Sequence, residues 1–190
     1  MNQTEAKDYI VSALTETHRE NMDILLNWMD TNGFWTAPAA GAYHMACEGG
    51  LAIHTANVVN IAFQLWALFG ADIPEDSVAI SAALHDLGKC GQYGKSMYVE
   101  NLLKSGKRSD SKPYETNRDL LSVPHEIRSI QIADGIIGLT EEESFAILYH
   151  NGLYGPLKYE IQGKETPLYM IIHWADMWAS RVVERMKENE

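Results

Sequence analysis

Residues 78–89 read Val78-Ala-Ile-Ser-Ala-Ala-Leu-His-Asp-Leu-Gly-Lys89. The first seven positions are apolar but for Ser81 and leave no polar face at the helical period. A helix apolar nearly all round belongs inside a bundle. Asp72-Ile-Pro-Glu75 precedes it as a capping-box pattern with an early proline. The segment therefore predicts a central helix over about 73–87, stopped by Gly88. The pair His85–Asp86 falls at the buried end of that helix. A carboxylate is costly there unless it is paired or bound to a cation.

Working outward, the chain reads as helices joined by short turns. Residues 4–31 predict a helix with Ile10, Val11, Leu14, Ile24, Leu25 and Trp28 as core positions, stopped near Gly33. Gly49–Gly50 precede a helix over about 51–69, which Gly70 ends. Ser122 and Pro124 open one near 124–135. Thr140-Glu-Glu-Glu143 is a capping box for another over about 141–150, ended by Asn151–Gly152. Thr166–Pro167 caps the last, about 167–187. Residues 88–123 break the pattern with Gly88, Gly91, Gly94, Gly106 and Pro113. They read as a long excursion holding a short hairpin or small helix; such segments inside compact domains are usually functional or mobile. No strand alternation is strong enough for a sheet. The expected fold is all-α and a single domain over 1–190, with an N-terminal helical extension (1–40), a core (44–180) and an irregular insertion (88–123).

The 190 residues amount to one domain, and 46% hydrophobic against 22% charged residues is a globular balance. No continuous apolar run approaches about 18 residues, so no membrane span is expected. Residues 1–20 carry Glu5, Asp8 and Glu16 with no apolar core, so no secretory signal is read there. Cys47 and Cys90 cannot build a disulfide framework, and a cytoplasmic location is expected. The net charge of −11 argues against a surface that grips long nucleic acid. Residues 89–128 nevertheless hold eight Lys/Arg against five Asp/Glu. A basic stretch on an acidic protein fits either an anionic small molecule or a solvated loop.

Seven histidines carry the chemical signal: His18, His44, His54, His85, His125, His150 and His173. His54 shares a helical face with Val58, Ile61 and Leu65. His150 follows Ala146 and Ile147. Asp176 lies on a stripe with Ile172, Ala179 and Val183. Several helices thus turn an imidazole or carboxylate inward. One such histidine is ordinarily a hydrogen-bonded core residue; several on different helices favour a shared metal. Imidazole with carboxylate suits Mn, Fe, Co, Ni or Zn.

Gly49-Gly-Leu-Ala-Ile-His54, then Leu84-His-Asp-Leu-Gly-Lys89, then Asp176 on a late helix, resembles the HD superfamily of metal-dependent phosphohydrolases. The resemblance spans about residues 44–180. Its Tyr43-His44 to His54 entry is similar to HD proteins related to bacterial 3′–5′ exoribonucleases. It implies an HD-type helical bundle in which His54, His85, Asp86 and Asp176 bind a first divalent transition metal. His125 and His150 match the extra histidines of binuclear members, with Asp86 shared between one ion and the other. Lys89 matches the lysine that approaches a substrate phosphate. Arg128, three residues after His125, lies on the same helical face and is a candidate to hold a phosphate bidentately or to form a salt bridge. The extended GYP signature of cyclic-di-GMP phosphodiesterases is missing, and no OB-type domain is evident before residue 44.

The resemblance implies a hydrolase for a small phosphorylated substrate, a nucleotide or related ester, in preference to long nucleic acid. Two other readings stay open at this point: a non-catalytic, metal-stabilised ligand-binding module, and a di-iron oxygenase. His44 and His173 are expected beside the site or on polar faces, and His18 at the surface. Tyr93, Tyr98 and Tyr114 in the insertion are candidates for stacking on a base or for packing the loop.

Overall fold

A computed structural model of the chain describes residues 1–70 and 72–187. Helices run over Gln3–Glu16 (α1), Met22–Thr31 (α2), Gly50–Phe69 (α3) and Glu75–Leu84 (α4). A 3-10 turn, Leu87–Cys90, follows α4. The two-stranded ribbon Tyr98–Glu100 (β1) and Tyr114–Thr116 (β2) comes next. Helices resume at His125–Ile137 (α5), Glu141–Tyr149 (α6), Lys158–Ile161 (α7) and Pro167–Trp178 (α8). A π turn, Ala179–Val183, joins α8 to Glu184–Lys187 (α9). The fold is mostly helical, as the sequence predicts.

α4 is central: every residue from Ser77 to Leu84 is buried. It packs against α1, α3, α6 and α8, and α3 packs in turn on α1 and α8. By length and composition α3 is apolar enough to cross a membrane, but half of it is buried inside the protein. Its inward side carries His54, Thr55 and Asn57 beside Leu51, Val58 and Val59, the pattern of a bundle core helix.

One of the two expected capping boxes forms, and so does the expected cap at Thr166. Thr140 Oγ1 accepts from Glu143 N, and the Glu143 carboxylate accepts from Thr140 N. Thr166 accepts from Tyr169 N with Pro167 in the first turn. The Asp72–Glu75 box does not form. Pro74, extended at φ −58° and ψ 129°, is itself the N-cap, so the helix opens beyond the reach of Asp72.

The single helix expected over 4–31 is two. The chain breaks at Thr17–Asn21, with His18 and Asn21 at φ 50° and 62°. Tertiary contact overrides local propensity there. Arg19 reaches across to Glu143, Nη2 to Oε1 at 2.7 Å, and Glu143 is fully buried. The break shifts the helical phase, which explains Ile24. Read as core, it is 53% exposed, while Leu25 is buried.

The insertion is ordered by a few anchors. β1 and β2 pair antiparallel, Tyr98 with Thr116 and Glu100 with Tyr114. Tyr114 N donates to Gly41 O, and Lys95 Nζ to Asp119 O.

Candidate metal centre

Five helices bring their chemistry to one place. His54 projects from the first half of α3. His85 is the cap residue after α4, and Asp86 follows it. His125 opens α5, His150 caps α6, and Asp176 lies in the second half of α8. His85 and His150 use the ends of their own helices. Each imidazole Nδ1 donates to the carbonyl three residues back, Ala82 O and Ile147 O, both at 2.8 Å. A carbonyl only accepts, so the proton sits on Nδ1 and the Nε2 lone pair faces the cluster. That is the tautomer a metal-binding histidine needs.

Gly88 explains the glycine of the His85-Asp-Leu-Gly-Lys89 stretch. A Cβ there would stand 2.3 Å from His125 O and 2.6 Å from Arg128 Cβ. Its absence lets the turn press against α5, where Gly88 N donates to Ser129 Oγ and Ser129 Oγ donates to His85 O. His85, Asp86 and His125 are thereby fixed relative to one another. Gly50 plays a similar part at the entry to α3, where a Cβ would lie 2.0 Å from Met45 O.

Asp86 is the hub. Its Oδ2 lies 3.3 Å from His85 Nε2, 3.5 Å from His54 Nε2 and 2.7 Å from Lys89 Nζ. Its Oδ1 lies 3.1 Å from His125 Nε2 and 3.6 Å from His150 Nε2. One oxygen thus serves the His54/His85 side and the other the His125/His150 side. Asp176 Oδ1 completes the first side, 3.2 Å from His54 Nε2. The six residues expected to ligate metal all meet here.

These residues fit a metal ion. His54 Nε2, His85 Nε2 and both Asp86 carboxylate oxygens are buried with no hydrogen-bond partner of good geometry. Buried polar atoms are rarely left so, and four converging ones form a donor set that could hold a cation. Ligand atoms of His54, His85 and Asp86 lie within 4.8 Å of one another, as do those of Asp86, His125 and His150. Imidazole with carboxylate suits divalent transition metals.

The electrostatics follow from crowding. Burial opposes the Asp86 charge, yet Lys89, His85, His125 and His54 hold its carboxyl well below the usual range. Burial likewise opposes charge on Lys89, but Asp86 and Tyr98 keep its ammonium above the usual lysine value. Burial and the neighbouring His85 push His150 down to about 3. His54 goes the other way: against burial, Glu184, Asp176 and Asp86 raise it well above the ordinary value.

Glu184 is the residue that sequence reasoning missed. It is 1% exposed, and its Oε1 accepts from His54 Nδ1 at 2.9 Å and Asn57 Nδ2 at 3.2 Å. At α-helical pitch Glu184 would lie about 80° round from Asp176. The π turn adds one residue and takes back about 100°, so both acids face His54. A carboxylate behind a ligating imidazole sets its orientation and basicity.

The other expected residues fall as follows. Lys89 lies against Asp86 and lines the adjoining cavity. Arg128 is not brought to the cluster. It is 2% exposed, and its guanidinium donates to Gln92 Oε1 and Leu121 O at 3.0 and 2.5 Å. It makes no salt bridge among the described residues; its hydrogen bonds pin the insertion to α5. The His44 ring lies 4.9 Å from that of His54, tilted by 47°, and burial and that neighbour push it down to about 4. His173 donates from Nδ1 to His150 O rather than orienting Asp176, and it lines the cavity. His18 is exposed. Cys90 is buried and Cys47 exposed. Among the insertion tyrosines, Tyr98 lies within electrostatic range of Lys89 and Asp86, Tyr93 is 77% exposed, and Tyr114 packs under Arg108.

Beside the cluster opens a cavity of about 620 Å³, walled by Lys89, Asp176, His44 and His173 and by Arg181 and Arg185 beyond α8. That volume accommodates a ligand of nucleotide size. No family model matches the chain, and neither a curated protein nor a solved structure matches it.

Proposed function

We propose that the chain is a metal-dependent phosphohydrolase of the HD kind, acting on a nucleotide or related phosphate ester. The observation that carries this reading is the division of Asp86, one oxygen toward His54 and His85 and the other toward His125 and His150. A shared carboxylate between two imidazole sets suits a pair of divalent ions. His54, His85, Asp86 and Asp176 would hold one, and Asp86, His125 and His150 the other. Bound divalent metal supplies an acidified water near neutral pH and neutralises charge on phosphoryl oxygens.

The chain's own groups have separate tasks. Glu184 and the α4 and α6 carbonyls keep the imidazole Nε2 atoms pointed inward. Lys89 is Asp86's counter-ion here and also borders the cavity. Its ammonium would offset charge that develops on a phosphoryl group. Tyr43 and Tyr154, 82% and 72% exposed, line the same cavity and offer flat faces to a base. The ligand types fit Mn, Fe, Co, Ni or Zn alike.

The test is hydrolysis of p-nitrophenyl phosphate, bis(p-nitrophenyl) phosphate and a nucleotide panel by protein stripped with chelator and reloaded with Mn²⁺, Co²⁺ or Ni²⁺. Turnover should vanish on stripping and return on loading. Lys89→Ala should lower kcat by about 10²–10³. Fully loaded protein with no turnover on any ester would overturn the reading in favour of a binding module.

A further inference from the structure

An imidazole that ligates through Nε2 is aimed by whatever its Nδ1–H donates to, because that bond fixes both tautomer and ring orientation. Three of the four imidazoles around Asp86 have such a bond. His54 Nδ1 donates to Glu184 Oε1 at 2.9 Å, and His85 and His150 donate to Ala82 O and Ile147 O, both at 2.8 Å. His125 does not. Its Nε2 lies 3.1 Å from Asp86 Oδ1, and its Nδ1 makes no hydrogen bond among the described residues.

The next residue has the complementary gap. Glu126 lies in the first turn of α5 and is 6% exposed. Its Oε1 accepts from Asn151 Nδ2 at 2.6 Å. Its Oε2 is buried and has no hydrogen-bond partner. That oxygen lies 3.4 Å from His125 Nδ1, near enough for attraction but off line for a hydrogen bond. A carboxylate favours the start of a helix, but an exposed one would serve that end equally. Burying it with one oxygen idle is costly unless a donor is supplied.

The surroundings hold Glu126 in that place. Asn151 directly follows His150, so the bond from Asn151 to Glu126 ties the end of α6 to the start of α5. The turn after α6 is fixed from the other side by His173, whose Nδ1 donates to His150 O at 2.7 Å. Gly152, at φ 53°, packs against the same ring, where a Cβ would stand 2.4 Å from His173 Cε1. His125 and His150 thus share one frame, and Glu126 is the buried acid within it.

We infer that Glu126 is the positioning residue for His125: when His125 ligates through Nε2, its ring turns Nδ1–H onto Glu126 Oε2, and the second metal site depends on that bond. The inference rests on the metal-binding part of the reading above and not on hydrolysis. A carboxylate behind the ring raises its basicity as well as aiming it. Each half of the cluster then has one acid behind an imidazole, Glu184 for His54 and Glu126 for His125.

The test is Mn²⁺ binding by the full chain, read by elemental analysis and chelator competition, in native protein, Glu126→Gln and Glu126→Ala. Glutamine keeps the shape and an acceptor for Asn151, so it decides the matter if the alanine variant does not fold. In Glu126→Gln the second ion should bind about 10–100-fold more weakly, with the first within about threefold of native and helical content unchanged. Zn²⁺-loaded native protein should show a downfield Nδ1–H proton resonance belonging to His125, and Glu126→Gln should lose it. A second-ion affinity within about threefold of native in Glu126→Gln, equal weakening of both ions, or a native chain that takes one ion only overturns the inference. Selective weakening without that resonance overturns it too, since Glu126 would then act through Asn151 alone. Selective weakening with the resonance, in a loaded protein that hydrolyses no ester, keeps Glu126 in this role and loses the hydrolase reading. Ester hydrolysis with the same Mn²⁺ dependence in native and Glu126→Gln protein does the reverse.

Discussion

Replacing Glu184 by glutamine tests how the chain prepares His54. Both side chains of the His54–Glu184 pair are fully buried, and the bond from Nδ1 to Oε1 is 2.9 Å. Glutamine keeps the shape and one acceptor oxygen but removes the charge. A charge-assisted hydrogen bond contributes about 1.5–3 kcal/mol, roughly twice a neutral one. Removing the partner behind a ligating imidazole typically lowers metal affinity about 10–100-fold, which is about 1.4–2.7 kcal/mol. The two figures agree, so Glu184→Gln should weaken Mn²⁺ binding by that factor, measured by chelator competition. Glu143→Gln is the control. Glu143 is equally buried, but its partners are Arg19, Ser77 and Thr140. That variant should lose thermal stability and keep its metal affinity. A Glu184→Gln protein with native helicity and an Mn²⁺ affinity within threefold of native would refute the reasoning.

Arg128→Met should cost about 2–4 kcal/mol of stability in urea unfolding, because buried bonds to Gln92 and Leu121 are lost, and it should leave metal content unchanged. A fall in kcat with native stability would restore a phosphate role to Arg128. Burial pushes the Cys90 thiol up to about 12, so at pH 8 about one part in 10⁴ is thiolate. A chromogenic disulfide reagent should label Cys47 alone in the native state and both cysteines in denaturant; rapid native labelling of both contradicts the packing. His54 is raised above its ordinary value by Glu184, Asp176 and Asp86, so the metal-free protein carries an extra proton there at neutral pH. A metal must displace it, so Mn²⁺ affinity should rise with pH up to the raised His54 value, with proton release visible as a buffer-dependent binding heat. Binding heat that does not depend on the buffer at pH 7 would contradict that protonation.

The sequence shows the bundle where single helices carry their own signals. The uniform apolarity of Val78–Leu84 marks the central helix, and Thr140 with Glu143 marks a start that local hydrogen bonds alone enforce. It misleads where distant residues decide. The break at Thr17–Asn21 depends on Arg19 finding Glu143, more than a hundred positions away, and nothing local announces it. Five of the six candidate ligands are legible as polar groups among apolar residues; His125 rests on the resemblance alone. Glu184 is not legible, because an even helical period puts it off the relevant face. Only the π turn rotates it there, and a π turn leaves no mark in the hydrophobic pattern. Arg128 is misread for a related reason. Sharing a face with His125 sets its direction along α5 but not the Gln92 and Leu121 acceptors that the insertion folds back to provide.

Metal content tests the shared role of Asp86 most directly. Protein purified without added metal or a metal-binding tag, then loaded with Mn²⁺ and desalted, is measured by elemental analysis beside His125→Ala and Asp86→Ala. The geometry predicts close to two ions per chain, about one in His125→Ala, and nearly none in Asp86→Ala. No uptake of Mn²⁺, Fe²⁺, Co²⁺ or Ni²⁺ by the native chain, or uptake unaffected by Asp86→Ala, would contradict it and leave the six residues as a buried polar core.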